Sequence, residues 1–397
     1  MHIDFSPPDI SQREIDEVTA VLRSGWITTG AKAKELERLV ADACGTKRAV
    51  CLNSATAALS TTLRVLGIGQ GDEVITTPYT YTASASVIRH VSATPVLVDT
   101  SPDSFHIDCE KVRSAITPRT KAIIAVDVAG MMADYGRLIA ISQEKSGLFL
   151  PKSGLQRTMG RLCVIADAAH SLGAWRDGKL SGAAADFSSF SFHAVKNLTT
   201  AEGGAATWNP IPGVDDEELY RLYMLFSLHG QSKDAYEKTR LGNWEYDIVA
   251  LAFKCNLPDV LAALGVAQFA RYGEMLARRR ELAVLYDAYL DDRRFILPVH
   301  HTPCSRSSVH LYPLRLRGRD EAYRNHVIRR MAEEGIATNV HYKPLPLFTA
   351  YKRLGFRIED YPNAYAQYQN ELTLPLHSLL TDGEVGYVAD ALKRIAD

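Results

Sequence analysis

Lys196 and Asp167 are the two residues whose type and position could do chemistry together. Lys196 lies just past the strand expected over Phe187 to Phe192, in the segment SFSFHAVKNLTTAEGG, with Gly203-Gly204 close behind it. A lysine fixed at a strand end beside tight backbone suits a Schiff base with an aldehyde cofactor. A solvated surface lysine is the commoner case, and position alone does not separate the two. Asp167 closes the run LCVIA, Leu162 to Ala166, at the carboxyl edge of a strand, where open α/β proteins bind ligands. Lys196 comes one strand later and can face the same crevice. A pyridinium nitrogen needs a carboxylate partner to stay protonated and act as an electron sink. Asp167 can equally cap a helix start at Ala168.

A third element is Asn53-Ser54-Ala55-Thr56-Ala57-Ala58-Leu59, small and hydroxyl residues where a helix should begin. Such a start offers unpaired N–H groups and a favourable dipole to a phosphate, although simple capping without a ligand is as common. Ser191 can add a hydroxyl. Tyr79 and Tyr81 follow the run EVIT; one can stack on a flat ring, and at least one should be ordinary core. Gly67-Ile68-Gly69-Gln70-Gly71 lacks GxGxxG spacing and follows a helix, so it reads as a helix end and turn. No P-loop, HExxH or GxSxG occurs. His300-His301 reads as a solvated loop without further metal ligands in register.

The elements that must position these residues alternate along the chain. Helical patterns are predicted over Gln12 to Ser24, Ala33 to Ala43, Ala57 to Leu66, Thr82 to His90 and Cys109 to Ala115. Strands are predicted at Arg48 to Leu52, Glu73 to Thr76, Thr94 to Val98, Ala122 to Val126, Leu162 to Ala166, Phe187 to Phe192 and Gly204 to Thr207. This alternation implies an α/β fold with a mostly parallel sheet covered on both faces. Lys145 to Arg161 reads as an inserted surface loop or hairpin. Ser227 to Leu257, with Trp244, Tyr246 and Phe253, reads as a long functional or interface-forming loop. One helix from Asp259 to Asp291 should lead to a smaller α+β region. That region has strands near Val309 to Leu316 and Ala337 to Val340, and helices at Glu321 to Glu334 and Asp382 to Ile395. Two domains are expected, 1–258 and 259–397.

Composition bounds the rest. Hydrophobic residues are 46% and charged residues 23%, as in soluble globular proteins, and a formal net charge of −1 gives no sign of a nucleic-acid or membrane partner. No signal sequence or membrane span is evident. Six scattered cysteines without CxxC imply reduced thiols rather than a zinc site. The expectation is a cytoplasmic protein with no metal.

Taken in order, SGWITTG, NSATAAL, GDEVITTPYTYTASA, DAAHSLGA, SFHAVKNLTTAEGG, NLPDVLAALGVAQF, HYKPL and LTLPLHSLLTDGEVGYV resemble the DegT/StrS family of sugar aminotransferases almost end to end. The resemblance implies the aspartate aminotransferase architecture (fold type I), a large domain with a mostly parallel seven-stranded sheet and a smaller α+β C-terminal domain. It implies pyridoxal 5'-phosphate (PLP) as cofactor, held by Lys196, which also shuttles the proton. Asp167 would pair with the pyridine nitrogen and His170 would lie near the phenolic oxygen. Ala55, Thr56 and Ser191 would hold the phosphate, and Tyr81 would stack on the ring. Thr28 and Thr29 would line the sugar pocket, and His341 and Tyr342 would approach the sugar or nucleotide. Family members are homodimers with shared sites. Lys254, from the partner subunit, stands where the family has an asparagine reaching the phosphate, and Ala55 replaces the commoner glycine.

The implied reaction takes an amino group from glutamate to a nucleotide-linked keto sugar, with the 4-keto-6-deoxyhexose class favoured over 3-keto sugars. Three alternatives stay open from sequence. A PLP-dependent dehydratase on the same scaffold would carry histidine at the lysine position. A non-catalytic nucleotide-sugar binder would not need Lys196 and Asp167 intact. An NAD-dependent oxidoreductase would need the fingerprint glycines.

Overall fold

The run Thr120–Val126 shows why the chain folds as it does. Every one of its residues is buried, and successive side chains enter different cores. Ile123 and Ala125 join one hydrophobic cluster, while Ala122 and Ile124 join another on the opposite face of the sheet. A strand covered on both faces can be apolar throughout, which is the signature of a parallel sheet between helical layers. The protein is described by a computed structural model, and the structure covers residues 1–232, 245–290 and 293–396.

The strands of the first half are β1 (Ala49–Leu52), β2 (Glu73–Thr76), β3 (Thr94–Leu97), β4 (Thr120–Val126), β5 (Cys163–Asp167), β6 (Trp175–Arg176), β7 (Lys179–Leu180), β8 (Phe187–Ser191) and β9 (Gly204–Trp208). Seven of them form one sheet in the order β1-β9-β8-β5-β4-β2-β3. Only β9 in this sheet runs against its neighbours. The expected α/β architecture with a mostly parallel seven-stranded sheet is therefore present. The second half contributes β10 (Phe295–Ile296), β11 (His301–Thr302), β12 (Ser305–Arg306), β13 (Tyr312–Leu316) and β14 (Glu371–Leu374). β10, β13 and β14 form a three-stranded sheet packed on helices Tyr272–Tyr289, Glu321–Glu333 and Asp382–Ile395 around a separate core that also takes in Ile3. β11 and β12 join β6 and β7 in a small sheet that ties the two halves of the chain together.

The structure corrects the sequence reading at several elements, besides shifts of one or two residues at element ends and elements that the reading did not place, among them helices Tyr135–Glu144 and Asp216–Ser227 and strand β14. The helix predicted over Asp259 to Asp291 is two helices, Asp259–Phe269 and Tyr272–Tyr289. The break falls at Arg271, whose backbone leaves helical geometry while its guanidinium holds Asp9 and Glu14; Asp291 lies outside the described residues. The strand predicted from Val309 begins only at Tyr312, because Val309 has φ +52°, a conformation a β-branched residue cannot carry into a strand. Ala337 to Val340 is not a strand: Ile336 bridges to Ile3 and Asn339 to Thr373, so the segment changes partner before a ladder can form. Lys145 to Arg161 holds a helix, Gly154–Met159, instead of a hairpin. Ser153 and the buried Gln156 both donate to the carbonyl of Leu66, docking this helix on the end of helix Ala55–Val65. His300 is buried, not solvated, whereas His301 is exposed. Within Ser227 to Leu257, Trp244 lies outside the described residues.

Helix Ala31–Cys44 shows how distant sequence is recruited locally. Gly30 at its N-cap has no side chain to offer. Asp259, buried at the start of another helix, accepts from the N–H groups of Gly30 (2.7 Å), Lys32 (3.1 Å) and Ala33 (2.9 Å). Removing that carboxylate orphans three backbone donors at once. We expect Asp259→Ala to lower unfolding free energy by about 3 kcal/mol, read from the denaturation midpoint.

Candidate active site

The carboxyl ends of β5 and β8, which pair in parallel, open into a cavity of about 440 Å³. It is lined by Ala55, Thr56, Tyr81, Asp167, His170, Ser191, Lys196, His341 and Tyr342, together with Ser54, Thr80, Ala83 and the rim residues His193 and Glu202. Nine residues singled out in the sequence thus meet in one place. Thr28, Thr29 and Lys254 do not line this cavity. Thr29 donates its hydroxyl to the carbonyl of Leu257, Thr28 is exposed, and Lys254 bonds Asn256 beside a neighbouring surface hollow shared with Ser54 and Thr56.

Lys196 sits in the loop after β8, in a turn where its N–H donates to the carbonyl of His193 at 2.9 Å. Its ammonium makes no ion pair among the described residues. Burial pushes its pKa down to about 8, and the charge of Asp167 offsets only part of that. A lysine held there is partly a free amine near neutral pH, the form that attacks a carbonyl.

Asp167 ends β5 and is buried. Its Oδ2 accepts from Ser84 Oγ at 2.6 Å, and Ser84 Oγ lies 2.8 Å from Thr80 Oγ1. Its Oδ1 accepts from the N–H of Ala169 at 3.3 Å, so it does brace the turn that follows. Burial pushes its pKa up, against Ser84, the Ala169 N–H and the Lys196 charge. The two charges therefore share one low-dielectric pocket without touching.

The end of the cavity at helix Ala55–Val65 is built from backbone. Ser54 caps helix Ala55–Val65 by accepting from the N–H of Ala57 at 3.1 Å. The N–H groups of Ala55 and Thr56 make no hydrogen bond among the described residues, and they stand at the positive end of the helix dipole. β9 must start directly beneath this turn: a Cβ at Gly204 would overlap the nitrogen of Ala55 and the carbonyl carbon of Ser54. Ser189 Oγ donates to the carbonyl of Ala55 at 2.9 Å, which fixes the helix start against β8.

His170 has a defined tautomer. The N–H of Ala129 donates to its Nδ1 at 3.2 Å, so the ring proton sits on Nε2, 3.0 Å from Tyr342 Oη. Burial, with the nearby charge of Lys196, holds its pKa well below the usual range and keeps it neutral. Tyr342 Oη accepts that proton's hydrogen bond and keeps its own hydrogen to donate into the cavity. Tyr81 is 64% exposed, its ring 6.5 Å from that of Tyr342, while Tyr79 is core.

Several supporting residues were not singled out in the sequence. Ser84 fixes Asp167, but only the phase of helix Ala83–His90 distinguishes it from Ser86. Asp127 accepts from Ser171 Oγ and Tyr135 Oη, both at 2.6 Å, bracing the loop that carries His170. His310 packs its ring 4.3 Å from that of His170 and is held by Asn197, next to Lys196. Apart from the Tyr135 contact, these join segments far apart in sequence, and no local pattern marks them.

Against known proteins, residues 8–393 match the model of the DegT/DnrJ/EryC1/StrS aminotransferase family. The chain belongs to this family. Among curated relatives, the spore coat polysaccharide biosynthesis protein SpsC of Bacillus subtilis is 37% identical, over 99% of this chain and 97% of that one. Among solved structures, Spr1654 of Streptococcus pneumoniae, assigned as a sugar aminotransferase and solved in its PMP form, superposes with a TM-score of 0.97 at 52% identity, covering 100% of this chain and 99% of that one. A PLP form of the same protein superposes with a TM-score of 0.96 at 50% identity, covering the same shares. PseC of Helicobacter pylori, an aminotransferase involved in the biosynthesis of pseudoaminic acid, gives a TM-score of 0.86 at 28% identity, with the same coverage. The family is an aminotransferase family, and in this member the cavity at β5 and β8 is the candidate active site.

Proposed function

We propose that the protein is a PLP-dependent sugar aminotransferase that moves an amino group from glutamate to the keto carbon of a nucleotide-linked 4-keto-6-deoxyhexose. The observation that carries this reading is the meeting of Lys196, Asp167 and the open N-terminus of helix Ala55–Val65 in one cavity. Those groups fit PLP part by part. The free N–H groups of Ala55 and Thr56, with Ser191, suit its phosphate. Lys196 suits its aldehyde, Asp167 its ring nitrogen, and Tyr81 and His170 its ring and phenolic oxygen. PLP, when bound, supplies an electrophilic carbon and a pyridinium ring that accepts electrons.

The chain's own residues supply the rest. Asp167, fixed by Ser84, holds a proton at the nitrogen facing it. Lys196 Nζ takes a proton from the donor's α carbon and returns one to the sugar carbon, a task that suits an amine whose pKa lies near working pH. Tyr342 Oη donates a hydrogen bond, oriented by His170. The dehydratase reading loses to the lysine at position 196.

Lys196 also gives a pH signature. The amine that captures PLP is the neutral one, present above a pKa of about 8. Covalent uptake of PLP by the apoprotein, followed by absorbance, should slow about tenfold for each pH unit below that value and level off above it. A rate unchanged between pH 6 and pH 8 would contradict the assignment.

A homodimer with shared sites and a division into domains 1–258 and 259–397 belong to the same reading, as do roles for Thr28 and Thr29 against the sugar. Exposed Ile248, Val249, Leu251 (98% exposed) and Phe253 form an apolar run beside Lys254 that supports a second copy packing there. Lys254 would then reach the partner's phosphate as a point charge. Leu251→Asp should shift the sedimenting species toward monomer and lower activity; an unchanged dimer would refute this surface. The substrate itself is tested by offering glutamate with 4-keto and 3-keto nucleotide sugars and weighing the product. Amination of none of them would overturn the proposed acceptor.

A further inference from the structure

His341 enters the cavity with its polar groups accounted for on one side only. Its N–H donates to Glu371 Oε2 at 2.8 Å and its carbonyl accepts from Tyr79 Oη at 2.9 Å. Its ring stacks on Phe5 at 5.7 Å, and its Nδ1 lies 3.0 Å from Thr373 Oγ1. Thr373 Oγ1 is in turn hydrogen-bonded to Glu371 Oε1. Glu371 and Thr373 are both fully buried and lie two residues apart on β14, so they share a face of the strand. Nε2 of His341 has no partner among the described residues, and His341 lines the cavity.

A hydroxyl has one hydrogen to give. If Thr373 gives it to an ionised Glu371, its oxygen must accept from His341 Nδ1–H, and the ring is left with a lone pair on Nε2. If Glu371 carries a proton on Oε1, that proton is donated to Thr373 and Thr373 donates to Nδ1. The ring proton then sits on Nε2. The chain of two hydrogen bonds thus has two polarities and no third.

We propose that Glu371, acting through Thr373, is a positioning residue that sets which ring nitrogen of His341 carries the proton, and so whether His341 offers the sugar an acceptor or a donor. The sugar half of this statement rests on the function proposed above; the relay does not. The other charged or titratable groups around Glu371 are Arg324, Arg315, Tyr79 and Tyr342. Arg324 is engaged by the carbonyls of Tyr368 and Glu371, and Arg315, opposite Glu371 on β13, by Gln367 and Asp103. Tyr79 and Tyr342 are both pushed up by burial and stay neutral. Burial pushes Glu371 up to about 8, against the hydrogen bonds from Thr373 and the His341 N–H and the charge of Arg324. Burial and the charge of Lys196 hold His341 down to about 3, so its ring stays neutral. Passing upward through pH 8, Glu371 loses one proton to solvent, the threonine hydroxyl turns, and the ring proton moves from Nε2 to Nδ1. Below that pH His341 is a donor to the cavity, and above it an acceptor.

The test is ring nitrogen NMR on 15N-histidine-labelled holoenzyme, with the His341 signals identified by their loss in His341→Phe. The expected result is a change of tautomer with a midpoint near pH 8. In Glu371→Gln the amide oxygen can take the His341 N–H while the amide nitrogen donates to Thr373, so the Nε2-protonated form should persist throughout. Thr373→Val cuts the relay and should also remove the pH-dependence, which keeps the test available if Glu371→Gln does not fold. One tautomer on both sides of pH 8 in the parent, or a switch that survives in Glu371→Gln, overturns the proposal. Lys196 titrates near the same pH in both proteins, so the relay is read as a difference: the change in sugar KM across pH 8 should be about fivefold larger in the parent than in Glu371→Gln, the worth of one hydrogen bond. A tautomer switch with the same KM profile in both proteins overturns the placement of His341 against the sugar and leaves the relay standing.

Discussion

Replacing Lys196 by alanine should lower turnover at least about a thousandfold in both halves of the reaction while leaving the fold intact. The size follows from losing two functions at one atom. The amine that captures the cofactor and the base that moves the proton are both Nζ, and among the described residues of the chain no other lysine lines the cavity. The fold should not suffer. Burial holds the folded-state pKa of Lys196 below its ordinary value, so between about pH 8 and its unfolded value the unfolded chain binds the proton more tightly. At neutral pH the lysine is therefore a cost to the folded protein, and the alanine variant should melt no lower than the apoprotein of the parent. Single-turnover assays with glutamate and with keto sugar, beside a thermal melt, check both parts. A variant that keeps full turnover would remove Lys196 from the mechanism, and one that unfolds would make the residue structural.

Asp167→Asn is expected to cost about a thousandfold in turnover with the cofactor still bound. An amide fits the same space and can still take the Ser84 hydroxyl, so the geometry at the end of β5 survives. What it lacks is the charge needed to keep a proton on the nitrogen it faces. The substitution also removes the charge that raises the pKa of Lys196, so that value should fall below about 8. The same absorbance titration of PLP uptake reads this second effect. An upward shift, or turnover within tenfold of the parent, would contradict the pairing of these two residues.

How much of this was legible in the sequence depends on how local each cause is. Asp167 and Lys196 could be placed because each comes at or just past the end of a short strand, and parallel neighbours bring their carboxyl ends to one edge. The helix start after Ser54 was legible to within two residues: a hydroxyl residue ahead of a helical pattern carries its own capping chemistry, but the helix expected from Ala57 opens at Ala55. Helices Gln12–Ser24, Cys109–Ala115 and Asp382–Ile395 were readable to the residue, since periodicity and caps both lie within them. What could not be read depends on partners far along the chain. The break at Arg271 needs Asp9 and Glu14, the short β13 needs the backbone turn at Val309, and the helix in 145–161 needs the carbonyl of Leu66. Glu371 and Thr373 look like any strand residues in ELTL until β14 brings them behind His341. Thr28, Thr29 and Lys254 show the limit from the other direction. Their proposed roles come from family resemblance, and within one chain they stay outside the cavity.

The most direct measurement treats the PLP-loaded protein with borohydride, digests it and maps the modified peptide by mass spectrometry. The account predicts one pyridoxyl-modified residue, Lys196, with the modification absent when Lys196 is alanine. A label on any other lysine, or a yellow protein that borohydride leaves unlabelled, would contradict it.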